Sequence, residues 1–316
     1  MSTSKQSRRG VVTSALLWIV AILVMFLAAD FQERTGPTKE FRGSFEVGGE
    51  TFDFALVRSG NTDAEAPIVV PDPGRGVSSQ GVSDQGVSGQ GVSGQGRSGQ
   101  SVTGQVYYKR YPTDDPFSPL TMEPVAGDLQ ALLPTQPAAG KLEYYVVLET
   151  GAGAIRIPEE ETLIIRYKDP VPLAALVPHV ICMFLALLIG VRTALGAAFY
   201  PAGVRKLAWT TLGFMTVGGM ILGPVVQKYA FGAFWTGWPF GYDLTDNKTL
   251  IMWIVWVLVA LVLWKRREPR DWVVRGSILG AAVVMMVVYL IPHSLRGSEF
   301  DYSQLEDEPG VAGSVS

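Results

Sequence analysis

Val11-Val-Thr-Ser-Ala-Leu-Leu-Trp-Ile-Val-Ala-Ile-Leu-Val-Met-Phe-Leu-Ala-Ala29 is a run of 19 residues without a charge, preceded by Lys5, Arg8 and Arg9. An α-helix needs about 20 apolar residues to cross a bilayer. A cleaved signal peptide is the rival reading, but its apolar core is shorter, about 7–15 residues, and ends in a small-x-small site. A cut after Ala29 would put Leu27 at the −3 position, a poor fit. Residues 1–29 are therefore read as an uncleaved transmembrane anchor.

Working outward, four more apolar runs follow, all in the second half: Leu173–Val191, Leu207–Val226, Leu250–Trp264 and Val273–Ile291. Lys265 and Arg275 lie near the ends of the last two, where their heads can reach the interface. Basic residues in short loops set orientation. With the N-terminus inside, the inner segments 1–10, 192–206 and 265–275 carry eleven basic residues against Glu268 and Asp271, a net +9. The other segments carry 15 basic and 27 acidic residues, a net −12. The overall charge of −3 is the residue of that asymmetry. The pattern predicts five spans in a bacterial inner (plasma) membrane, with the large domain and the C-terminus extracytoplasmic. A charged fraction of 17% also argues against one ordinary soluble domain, and the net negative charge against a nucleic-acid partner.

Residues 30–170 differ in composition: charges return and long apolar runs vanish. Phe41–Val47, Thr51–Val57, Gln105–Arg110, Lys141–Glu149 and Thr162–Tyr167 read as strands. Gly48-Gly49, Pro112–Asp115 and Gly151–Gly153 supply turns between them. The run Tyr144-Tyr145-Val146-Val147 predicts a central strand covered on both faces. A five-residue unit of the GVSGQ type repeats six times from Gly76 to Gln105. Its Gly and Ser content and sparse Val predict a disordered loop inserted between two strands. The order Val106–Tyr111, Phe117–Met122, Leu129–Pro134, Lys141–Leu148 resembles an immunoglobulin-like or fibronectin-type sandwich. No acid pair, no Ser/His/Asp set and no histidine occurs in this domain, so hydrolase chemistry has little support. The predicted fold is thus mixed: a five-helix transmembrane bundle with an extracytoplasmic immunoglobulin-like β-sandwich.

Candidate chemistry lies in residues 171–292. Cys182 is the one cysteine, so no intrachain disulfide can form, and it reads as a small apolar residue. The two histidines are His179, early in the second span, and His293, just past the fifth; each follows a proline. Two neutral imidazoles suit axial ligation of haem iron. The plainer alternative is that His179 bonds a neighbouring helix and His293 is an interfacial polar residue. The distinctive segment is 228–249, with Trp235, Trp238 and Tyr242 followed by Asp243, Asp246, Asn247 and Lys248. Interfacial enrichment explains the aromatics. Thr245 or Asp246 is expected to cap the fourth span, and Lys248 to pair with a carboxylate.

Phe231-Gly-Ala-Phe-Trp235 and Tyr242-Asp-Leu-Thr-Asp-Asn-Lys-Thr249 resemble the Trp-rich outer segment of the cytochrome c assembly proteins that handle haem. The resemblance covers residues 171–300, with Phe and Tyr in place of two Trp. It implies haem as cofactor, His179 and His293 as ligands to the iron, and Trp235, Trp238, Tyr242, Asp243 and Asp246 around the porphyrin.

Three functions stay open from the sequence. One is a haem-binding or haem-handling protein of cytochrome c biogenesis. Another is a non-catalytic assembly or scaffold subunit that contacts a membrane or extracytoplasmic partner, with Gly213, Gly218, Gly219 and Gly223 allowing close helix packing. The last is an ion or solute pathway whose mouth is lined by Asp243, Asp246 and Lys248, with Gly223 and Pro224 as pointers to a broken helix. No catalytic residues are assigned. Residues 293–316, with Glu299, Asp301, Glu306, Asp307 and Glu308, read as an acidic, solvated outer tail.

Overall fold

A computed structural model describes residues 2–36, 38–75, 102–266, 271–291 and 299–303. His293, nearly all of the pentapeptide repeat and the acids Glu306, Asp307 and Glu308 lie outside the described residues. The chain forms two compact units: a helical unit of residues 1–39 and 169–298, and a sheet unit of residues 40–168 and 299–316.

Among the described residues the helical unit contains five helices long and apolar enough to cross a membrane. The first, α1, is Ser2–Thr35, and α2 is Leu173–Phe199. The third is continuous but not uniform: α3 (Val204–Met215) passes through a π-helical stretch, Thr216–Leu222, into α4 (Gly223–Phe231). The last two are α5 (Leu244–Lys265) and α6 (Trp272–Leu290). The core between them holds Leu187, Met215, Met252, Trp256, Ile278 and Met285. Trp256 is fully buried, and its indole Nε1 donates to Met285 Sδ at 3.2 Å. A Cβ at Gly218 would sit 2.8 Å from Cys182 Cβ, and one at Gly219 the same distance from Thr249 Cγ2. These two glycines let α2 and α5 approach the π stretch. Gly213, by contrast, faces open space, so only part of the expected small-residue stripe is used for packing.

Among the described residues the sheet unit has eleven strands in three sheets. β1 (Phe41–Val47) and β2 (Glu50–Leu56) form a hairpin. Its two loop residues are Gly48 and Gly49, at φ +62° and +84°, the left-handed pair that a type I′ turn requires. The main sheet has the order β3-β11-β9-β5-β6: Ser59–Asn61, Leu163–Lys168, Lys141–Thr150, Thr103–Arg110 and Ser118–Thr121. β10 (Gly153–Ile157) pairs with the far half of β9. The third sheet is β4-β8-β7: Ala66–Pro71, Asp128–Leu133 and Glu123–Val125. All three sheets feed one core that includes Phe52, Leu56, Ile68, Val106, Leu133, Tyr144 and Ile165.

β9 is central, between β11 and β5, as its composition predicts. Its two faces are not equivalent, however. Leu142, Tyr144, Val146 and Leu148 are buried, whereas Tyr145 is half-buried on the other face. There Tyr145 stacks on Tyr107 at 5.1 Å, meets Phe117 edge-on and lies under the Arg156 guanidinium at 4.4 Å. An aromatic and cationic patch thus shields the face that a second apolar layer was expected to cover.

Glu299–Ser303 belongs to the sheet unit rather than to a solvated tail. Glu299 pairs with Lys141 at 2.7 Å, and the Phe300 N–H donates to the Ala139 carbonyl at 3.3 Å. The Tyr302 ring lies under Arg110, and its hydroxyl reaches Lys141 and Gln136.

Candidate functional site

The segment between α4 and α5 is built around one carboxylate. Asp246, in the first turn of α5, is buried. Its Oδ2 accepts from the Thr236 N–H at 2.7 Å, the Gly237 N–H at 3.0 Å and the Thr236 hydroxyl at 3.3 Å. Successive backbone N–H groups converging on an anion make a strong, charge-assisted anchor. Asn247 Oδ1 takes the next N–H, that of Trp238, at 2.7 Å. Gln227, from α4, donates to the Thr236 hydroxyl at 2.7 Å. Gly237 is required here, since a Cβ would lie 2.6 Å from Asp246 Cβ.

The helix cap is Asp243 rather than Thr245 or Asp246. Asp243 Oδ1 accepts from the Thr245 and Asp246 N–H groups at 2.8 and 3.1 Å. The reason is geometric: the cap must stand outside the helical dihedrals, as Asp243 does at φ −54°, ψ 122°, and Asp246 is already in the first turn. Nor does Lys248 pair with a carboxylate among the described residues. It is buried, and its Nζ donates to the Ile291 carbonyl at the end of α6. Gln32 Nε2 donates to the Tyr289 carbonyl nearby. A cation and an amide thus satisfy carbonyls that the last turn of α6 leaves without helical partners.

The aromatic residues divide into two kinds. Trp235 Nε1 donates to the Trp238 carbonyl at 3.0 Å, so this indole is part of the loop's own framework. Phe234, Trp238, Phe240 and Tyr242 are 58%, 64%, 82% and 92% exposed. The polar groups of the segment therefore point inward, and its large aromatic surfaces point out.

His179 lies at the same end of the unit. The Asp169 N–H, just before α2, donates to the Ala230 carbonyl of α4 at 3.0 Å. Two turns into α2, His179 Nδ1 is 2.9 Å from the Gly218 carbonyl of the π stretch. A carbonyl only accepts, so Nδ1 carries the proton and donates it to Gly218. The same carbonyl takes the Gly223 N–H, the five-residue bond that defines the π turn. The half-buried His179 thus bonds a neighbouring helix, and the thiol-bearing Cys182 packs one turn farther along.

Among the described residues, no group of three or more His, Cys, Asp and Glu converges as a metal centre. The residues singled out from sequence fall into separate arrangements. Asp243 and Asp246 share one network with Trp235, Trp238 and Asn247, Tyr242 stands outside it, and His179 belongs to the α2–π contact. No family model, curated protein or solved structure matches this chain.

Proposed function

We propose that this chain is a multi-pass plasma-membrane protein of non-catalytic, assembly or anchoring type, carrying an immunoglobulin-like interaction module on the extracytoplasmic face. One observation carries this reading. Asp243, Asp246, Asn247 and Lys248, the polar cluster at the start of α5, are each bonded within the protein in ways that build structure. That use supports a structural role for the cluster over a reaction centre or the mouth of an ion pathway. The sidedness has its own support. Residues 40–168 and 299–303 belong to one unit, which accords with an even number of crossings between them. The four helices α2, α3–α4, α5 and α6 would supply that even number. The basic inner segments favour the outside for that unit. An immunoglobulin-like module accords with mostly antiparallel strands closing on one core, although the β3–β11 pair is parallel. In a mild detergent the protein is expected to migrate in native gels with a larger complex; a protein that always migrates alone overturns the reading.

Haem contact is the second reading, favoured by the state of His179. A metal-bound histidine characteristically donates its other ring N–H to a carbonyl or carboxylate. His179 does so to Gly218, leaving Nε2 available to an axial iron. Trp238 and Tyr242 would offer exposed faces to a porphyrin, with His293 as the second ligand from sequence alone. A Soret band in the purified protein that disappears in His179→Ala is the expected result, and a colourless preparation from haem-replete cells overturns it.

A further inference from the structure

The sheet unit has a strand edge that no other described residue of the unit pairs with. In the β1–β2 hairpin the two-residue turn makes Val47 and Glu50 the closing hydrogen-bonded pair. Antiparallel pairing then alternates, so the backbone groups of Phe41, Gly43, Phe45 and Val47 face β2. Those of Arg42, Ser44 and Glu46 face the other way. β1 pairs only with β2, and among the described residues no backbone hydrogen bond reaches that second side.

Edges of this kind are usually blunted or covered. Here the edge opens onto a groove of about 480 Å³. Phe41, Phe54 and Ile155 give it an apolar lining, and the consecutive residues Glu159, Glu160 and Glu161 line it as well. Gly43 shapes this lining: a Cβ there would lie 2.7 Å from the Phe54 ring, so the glycine lets that ring lie across the strand. None of the three glutamates is in an ion pair among the described residues. Arg156, the cation nearest to them in sequence, is turned to the Pro158 and Glu159 carbonyls and to Tyr145.

We infer that β1 accepts an extended segment of a partner protein as an added strand, and that this segment alternates apolar and basic side chains. The free N–H and C=O groups of Arg42, Ser44 and Glu46 would supply the ladder. The apolar side chains would lie against Phe41, Phe54 and Ile155, and the Lys or Arg side chains would face Glu159, Glu160 and Glu161. This is strand addition, in which main-chain bonds give affinity and alternate side chains give specificity. The inference rests on the reading of the sheet unit as an interaction module, and names the chemistry of its partner.

The test uses the full-length protein in detergent and a labelled peptide, acetyl-Lys-Val-Lys-Val-Lys-Val-Lys-amide, followed by fluorescence anisotropy. Saturable binding is expected, weakening as salt is raised. The corresponding Glu-Val peptide should bind about tenfold or more weakly. Ser44→Pro removes an N–H that the hairpin does not use, so the fold should persist while peptide affinity falls about tenfold or more. Replacing Glu159, Glu160 and Glu161 by Gln should remove most of the salt dependence. Amide exchange gives an independent check, since the Arg42, Ser44 and Glu46 amides should slow only in the presence of peptide. Equal binding of both peptides, or unchanged binding by a folded Ser44→Pro protein, overturns the inference. Native-gel migration of Ser44→Pro separates the two proposals. A complex that survives this substitution leaves the assembly reading standing and removes β1 as its contact. Absence of any complex in the unsubstituted protein removes the assembly reading, whatever the peptide does.

Discussion

The hydroxyl of Tyr302 lies 2.9 Å from both the backbone N and the backbone O of Lys141, a residue 161 positions earlier in the chain. Both groups stand at the start of β9, the central strand of the main sheet, and Tyr302 is itself buried. Burial raises the phenol above its ordinary value, so it remains a neutral donor and acceptor throughout the physiological range. Tyr302→Phe keeps the ring and its contact with Arg110 while leaving the Lys141 N–H without that partner. A buried unsatisfied group costs about 1–3 kcal/mol. The Lys141 amide should therefore exchange about tenfold or more faster in Tyr302→Phe, as read by exchange mass spectrometry. An unchanged rate would mean that the segment 299–303 contributes no stability to β9.

Asp246 presents a second relationship open to measurement. Its Oδ2 holds the N–H groups of Thr236 and Gly237 in a buried setting. Asp246→Ala would leave both donors without that acceptor, at about 2–5 kcal/mol taken together. Asp246→Asn can still present one oxygen to them and should lose less, chiefly the charge assistance. Protease cleavage between Gly232 and Asp243 should be fast in the Ala variant, intermediate in Asn and slow in the parent. Equal cleavage of all three would show that the loop is held by other contacts.

Asp115 gives a pH-dependent prediction in the sheet unit. Its hydrogen bond with Arg110, at 2.6 Å to Nε, is the main cause holding its carboxyl below the ordinary value of 3.8. A depressed carboxylate stabilises the fold fully above its unfolded value, and that contribution is lost as pH falls through the folded value. Since the pair is partly exposed, the gain is small, about 0.5–1 kcal/mol. Asp115→Asn should thus lower the urea midpoint of the sheet unit at pH 7. The difference from the parent should shrink as the pH is taken below 3.8. A difference independent of pH would assign the loss to packing rather than to charge.

How much of this was legible beforehand can be read from particular elements. Five strands and five apolar helices follow from period and composition, and Phe41–Val47 was bounded correctly at both ends. β6 falls inside Phe117–Met122, a strand position of the sandwich-like order, whereas β4 and β7 carry no strand signal because each contains proline, Pro67 and Pro124. Proline disfavours a central strand but is tolerated where one side of the strand is unpaired, and both of these strands lie at the edge of their sheet. The segment around Trp235 was recognisable as special, yet the direction of its polar groups was not. Whether Asp246 faces a ligand or the backbone of Thr236 depends on how the loop folds back over α5, which residue spacing does not encode. The same holds for Lys248, whose acceptor is supplied by α6, 43 residues away. Tyr302 carries no signal of its own, since Phe300 and Tyr302 set among acids read as a solvated end.

The packing of α2 against the π stretch supplies a last prediction with an internal control. At Gly218 an added methyl would lie 2.8 Å from Cys182 Cβ and 3.2 Å from the Met183 backbone nitrogen. Neither neighbour can turn aside as the end of a long side chain can, so Gly218→Ala must move the helices apart. Overpacking of this kind costs about 1–3 kcal/mol. At Gly213 a methyl meets nothing within 4 Å, and there the substitution should be neutral or stabilising by up to about 1 kcal/mol through helix propensity. Thermal unfolding in detergent, followed by tryptophan fluorescence, reports this unit alone, because all eight tryptophans lie in it. Gly218→Ala should lower the midpoint and also weaken the contact of His179 with the Gly218 carbonyl. A Cys182→Gly change made in the Gly218→Ala background removes the clashing atom and should recover part of the loss. Failure of that rescue, with Gly213→Ala still neutral, would place the strain at the Met183 backbone instead of at the cysteine.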